Sequence, residues 1–153
     1  MTRIKEVKKR RRSAHQTQWT AQFAVASELC KRGYEVALTM GNHPVIDLMV
    51  ISPKGVHFAV DVKGLYKRNP WLVKNKDVNK KLFYVFALVS NQGGNQFSVL
   101  TQHQVRVGIQ TNSENAKARR SAKGLSPLTQ DKFSVVDWKF AEKYRDAWDA
   151  LPT

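Results

Sequence analysis

Between residues 45 and 64 the chain reads VIDLMVISPKGVHFAVDVKG. Two apolar runs flank Pro-Lys-Gly, an order that points to an antiparallel β-hairpin. Pro53 suits the first corner of a type I turn, and Gly55 suits the left-handed residue that completes a three-residue loop. The expected strands are residues 45–52 and 56–64, preceded by a strand over 34–40. Side chains alternate along a strand, so Phe58, Val60 and Val62 share one face, and His57, Ala59, Asp61 and Lys63 share the other. Counting outward from the loop, Ser52 meets Val56, Ile51 meets His57, and Asp47 meets Asp61.

Around this hairpin the pattern predicts an α/β domain with a mixed sheet flanked by helices. Ser13 and Gln16 resemble a capping box, opening a helix over 15–32 that Gly33 closes. Trp19, Gln22, Phe23, Ala26, Leu29 and Cys30 recur at helical steps and form its expected apolar arc, with Cys30 as a small core residue. Residues 65–82 look irregular, 83–90 (FYVFALVS) a central strand, and 96–101 a strand that pairs back across the turn NQGGN. A short helix is expected over 102–109, then a polar loop over 111–132. An edge strand over 133–137 and a last helix over 139–151 follow, with Trp138 and Trp148 in the core. No internal repeat or linker divides residues 13–153, and residues 1–12 form a separate basic arm.

Lys and Arg number 26 against 12 acidic residues, a net charge of +14. A domain so basic meets polyanions, with nucleic acid first among them. No apolar stretch approaches the ~20 residues that span a bilayer, so no membrane partner is expected. The basic arm has no apolar segment behind it to form a signal peptide, and a single cysteine excludes disulfide and cysteine-zinc scaffolds. The expected location is the cytoplasm. Lys8, Lys9, Arg10, Arg11 and Arg12 are candidate phosphate contacts, although a solubilising tail or a localisation signal has the same composition. Lys67, Arg68, Lys74 and Lys76 follow the third strand as a candidate phosphate track. Trp71 among them could stack on a base or plug the core edge. Asn42 and His43 precede Asp47 in a loop that can reach substrate.

Two carboxylates opposite each other on one sheet face repel, and partial burial raises the cost. A cation between them removes it. Hard divalent ions want oxygen ligands, and Mg²⁺ takes one or two carboxylates while keeping several waters. Lys63, on the face of Asp61, can orient a bound water or neutralise a phosphate. The plain alternative is a surface ion pair between Asp61 and Lys63.

The succession of a helix, a strand beginning at an Asp, a hairpin and a strand carrying Asp-x-Lys resembles the core of the PD-(D/E)xK (restriction-endonuclease-like) nuclease superfamily. The stretch GYEVALTMGNHPVIDLMVISPKGVHFAVDVKG is similar to its small, poorly characterised prokaryotic endonuclease-like members, as are WLVKN and FYVFALV. The resemblance covers roughly residues 17–105. It implies a restriction-endonuclease-like core and Mg²⁺-dependent hydrolysis of DNA, with Mn²⁺ as a substitute. Asp47, Asp61 and the Val62 carbonyl would hold the metal, and Lys63 would position the attacking water. The family's helical acid falls at Gln22 here, which faces the sheet and could coordinate or orient a water. Glu28, the one acid of that helix, lies about 140° from the centre of its apolar arc and is read as solvated. Pro44 stands three residues before Asp47 and not beside it, which only loosens the motif. Cutting both strands of a duplex from so small a domain would call for a homodimer. The competing expectations are a catalytically silent nucleic-acid-binding module of the same fold and a basic RNA-binding structural protein.

Overall fold

The computed structural model describes residues 11–127 and 134–153. Helix α1 (Ala14–Lys31) starts at Ser13, whose hydroxyl accepts from the Gln16 N–H while the Gln16 side chain accepts from the Ser13 N–H. Strands β1 (Glu35–Leu38), β2 (Leu48–Ile51) and β3 (His57–Leu65) follow, then β4 (Trp71–Val73), β5 (Leu82–Leu88) and β6 (Gln96–Thr101). Helix α2 (Gln102–Ala122), strand β7 (Ser134–Val136) and helix α3 (Trp138–Glu142) lead to a 3-10 turn over Trp148–Ala150. The main sheet has the order β1-β2-β3-β5-β6 and is mixed: β3 and β5 run parallel, and the other neighbours are antiparallel. Strands β4 and β7 form a separate two-stranded sheet. No helix among the described residues is long and apolar enough to cross a membrane.

The expected hairpin register holds. Ile51 pairs with His57 and Leu48 with Val60, and Gly55 has φ +84° in the loop. Strand alternation then divides the core. Phe58, Val60 and Val62 of β3 join Phe83, Val85 and Ala87 of β5 beneath α1. Ala59 of β3 joins Tyr84 and Phe86 of β5 on the opposite face, under β4, β7, α2 and α3. All seven residues of β5 are buried, as its unbroken apolar run requires of a strand covered on both faces.

Helix α1 is rotated relative to the expected arc. Thr17, Ala21, Gln22, Val25 and Leu29 are buried, whereas Phe23 and Cys30 are exposed. The reason is close approach. A Cβ on Gly64 would lie 2.7 Å from the Ala21 Cβ and 3.0 Å from the Thr17 carbonyl oxygen. Short side chains let the helix settle on β3, and the large aromatic residues are turned outward. Gly64→Ala is therefore expected to cost about 1–3 kcal/mol by pushing α1 off the sheet, read as a lower urea midpoint at unchanged slope.

Three other expectations are corrected. Helix α2 continues through the segment expected as a loop, to Ala122. Only Gln102, Val105 and Gly108 of it are buried, so most of its length is polar and has no apolar stripe to reveal it. The last helix stops at Glu142 because the chain then pairs with the β6 edge: the Val99 N–H donates to the Tyr144 carbonyl, and the Asp146 N–H donates to the Phe97 carbonyl. The irregular segment after β3 contains β4, whose partner β7 lies more than sixty residues on. Lys8, Lys9 and Arg10 of the arm, and Phe133 of the last expected strand, lie outside the described residues.

Candidate active site

Beyond Leu48 strand β2 leaves β3, and the candidate residues converge there. The Asp47 N–H still donates to the Val60 carbonyl, 3.1 Å. Its carboxylate takes over the next ladder position: Oδ2 accepts from the Val62 N–H at 2.8 Å. Oδ1 accepts from Gln22 Nε2 of α1, also at 2.8 Å. Asp61 lies on the Tyr84 side of β3 and is 1% exposed. Lys63 Nζ pairs with its Oδ1 at 2.7 Å, and Lys76 Nζ pairs with its Oδ2. The ladder ends at the Leu48–Val60 pair, so the expected cross-strand pairing of Asp47 with Asp61 does not form, and the two carboxylates are not equivalent groups on one face. Asp47 is held by the sheet edge and by α1, whereas Asp61 is held by two ammonium groups.

Lys76, expected on a solvent-facing phosphate track, lies inside the site instead. Besides Asp61 its ammonium donates to the Val45 carbonyl at 2.6 Å and sits 5.7 Å from the centre of the Tyr84 ring. Helix α2 keeps it there. Arg106 donates to the Lys76 carbonyl at 2.8 Å, and the Gln102 amide bridges the Asp77 carbonyl and the Asn79 N–H. Nothing in local sequence marks Lys76 among its basic neighbours, because the residues that fix it come from α2. Tyr84 beside it is pushed up to about 12 by burial and by the charge of Asp61, so its phenol keeps its proton.

Asp47 is raised above the ordinary carboxylate range, first by burial and further by the charge of Asp61, against the lowering effect of the Val62 N–H. A raised carboxylate binds its proton more readily in the folded chain than in the unfolded one. Ionising it therefore lowers stability as pH rises above the ordinary value of 3.8 and through the folded value. Asp47→Asn is expected to be more stable than wild type at about pH 8, with the gap closing at about pH 4 and below. Equilibrium denaturation at both pH values checks this, and a variant less stable at the higher pH would contradict it.

Gln22 has one amide group engaged with Asp47, while its buried Oε1 has no hydrogen-bond partner among the described residues. Buried polar atoms are normally paired. An unpaired amide oxygen beside the Asp47 carboxylate is the kind of oxygen donor a hard divalent ion takes. The Val62 carbonyl, expected as a ligand, already accepts from Gln18 Nε2 at 2.8 Å, and the Gln18 oxygen accepts from the Gly64 N–H at 3.1 Å. Gln22 therefore offers a further oxygen besides the Val62 carbonyl, which keeps a second lone pair. No cluster of three or more His, Cys, Asp or Glu side chains occurs among the described residues, which leaves this centre with two acids.

The remaining candidates divide. Glu28 is ion-paired with Lys31 and Arg32 on the far side of α1. Asn42 and His43 are exposed in the β1–β2 loop, and Lys67, Arg68 and Lys74 are exposed beyond β3. Arg68 lies 4.7 Å from the Trp138 ring. Arg12 is committed to the protein: it donates to the Val89 carbonyl and to Asn91, and stacks 4.8 Å from Tyr66. Trp71 is 2% exposed, stacked 5.0 Å from Phe86, so it belongs to the core and not to a base-binding surface. No family model matches the chain, and no curated protein or solved structure matches it.

Proposed function

We propose that this chain is a metal-dependent endonuclease that hydrolyses DNA phosphodiester bonds. The observation that carries the reading is the convergence of Asp47, Asp61, Lys63 and the unpaired Gln22 oxygen where β2 parts from β3. A carboxylate raised by burial and by a neighbouring carboxylate, as Asp47 is, is a candidate for a functional role. Asp47, Asp61 and Gln22 would hold Mg²⁺ or Mn²⁺, which when bound supplies Lewis-acid polarisation of a phosphoryl oxygen and a more acidic water. The Lys63 ammonium, paired with Asp61 and 28% exposed at its side chain, would donate to the water that attacks or to a phosphate oxygen. The Val62 N–H and Gln22 amide fix the Asp47 carboxylate, and Asp61 is buried opposite Tyr84 of β5. The +14 charge supplies sequence-independent affinity for the phosphate backbone.

The second reading, a silent binding module, is favoured by one observation: both oxygens of Asp61 are already occupied by lysines. Cleavage of supercoiled, linear, single-stranded and four-way-junction DNA, with Mg²⁺, Mn²⁺ or EDTA, separates the two. Metal-dependent cutting that falls about 10²–10³-fold in Lys63→Ala is expected, a loss typical of removing one donor to the transition state. Binding without cutting in either metal would establish the silent module.

A further inference from the structure

The outer face of α1 carries a row of rings. His15, Trp19 and Phe23 lie at four-residue steps, so one helical face presents all three. Trp19 and Phe23 are stacked, with ring centres 5.6 Å apart and planes 28° from parallel. The Trp19 N–H donates to His15 Nε2 at 3.0 Å, which fixes the indole. Phe23 is 55% exposed. These rings line a groove of about 570 Å³ with Arg11, Arg12 and Asn91. Arg12 is held by Tyr66, Val89 and Asn91, whereas no hydrogen bond or ion pair engages the Arg11 side chain among the described residues. Rigid aromatic faces beside a guanidinium are what a single-stranded polynucleotide binds: bases stack on the rings and phosphates meet the cation. A duplex keeps its bases stacked internally and cannot use the rings. Gln18 and Gln22 precede Trp19 and Phe23 by one residue, about 100° round the helix, so the rings and the candidate centre occupy neighbouring faces of α1.

We propose that Trp19, Phe23 and Arg11 form a stacking platform for unpaired bases, and that the substrate is DNA carrying a single-stranded stretch beside the bond to be cut. The substrate half of this rests on the nuclease reading. The platform half does not, and it is tested in EDTA, where no cleavage occurs.

The experiment is a titration of the full chain with a short fluorescent oligothymidylate and, separately, with duplex DNA of equal length. Phe23→Ala and Trp19→Ala are each expected to weaken oligothymidylate binding about tenfold, with Trp19→Phe restoring most of it and duplex affinity changing less than about twofold. Because Phe23 is exposed and outside the buried face of α1, its variant should melt like wild type. Arg11→Ala should weaken both ligands and lower the salt slope by about one. Equal losses on single strand and duplex, or no loss on either, would overturn the platform. So would concentration-dependent self-association removed by Phe23→Ala, which would make the face a contact between copies. A wild type that cuts duplex but ignores oligothymidylate refutes the platform alone. One that binds oligothymidylate through these rings but never cuts refutes the nuclease alone.

Discussion

Asp61→Asn is expected to reduce metal-dependent cleavage by about 10²–10³-fold or more, the scale on which removal of one preorganised charged group acts. The amide keeps the volume and one acceptor oxygen but loses the charge that both lysines face. Lys63 and Lys76 then repel each other with nothing between them, because Asp61 is buried and its partners are only 28% and 13% exposed at their side chains. Breaking one partner out of such a cluster costs about 1–3 kcal/mol here, since each ammonium can shift toward water. Adding Lys76→Met to Asp61→Asn should recover part of that stability and none of the cleavage. The two stability changes should fail to add by about 0.5 kcal/mol or more, as residues in direct contact do. Full cleavage by Asp61→Asn would remove Asp61 from the reaction, and strict additivity would remove Lys76 from its neighbourhood.

Much of this centre is legible in the sequence because it depends on short-range order. The hairpin loop Pro53-Lys54-Gly55 sets the register from Ile51–His57 to Leu48–Val60, and that register brings Asp47 to the end of β2 beside the middle of β3. Ser13 and Gln16 fix where α1 begins, and Gln22 faces the sheet as expected. The turn of the Asp47 side chain into the β2–β3 ladder is not legible, since it follows from where β2 departs and not from alternation. Lys76 reads as surface charge for a similar reason: its place is set by Arg106 and Gln102, about thirty residues on. The rotation of α1 is concealed by competing patterns. Trp19 and Phe23 give the stronger hydrophobic period, but Gly64 and Ala21 decide which face can approach. Strand β4 is three residues long and gains its partner only through β7, so no local window contains the information that defines it.

Trp71→Ala tests that last point, and its expected effect is the largest on stability. The indole is fully packed between Phe86 of the main sheet and Trp138, with ring centres 5.0 and 5.2 Å away. It is the contact through which the β4–β7 sheet is fastened to β5, together with Val73 and Val136 in the same apolar cluster. Removing so large a buried side chain leaves a cavity and costs about 3–5 kcal/mol, against a total of about 5–15 kcal/mol for a domain. The buried indole N–H has no hydrogen-bond partner among the described residues, so its loss leaves no orphaned acceptor behind to add to that cost. Trp71→Phe, which keeps a ring against Phe86, should cost less than half as much. Urea denaturation followed by far-ultraviolet circular dichroism gives both numbers. At urea concentrations where Trp71→Ala remains folded, its affinity for DNA should match wild type within about threefold, as expected of a ring that contributes packing and touches no ligand. A large loss of DNA affinity in a variant of near-normal stability would instead return Trp71 to the binding surface.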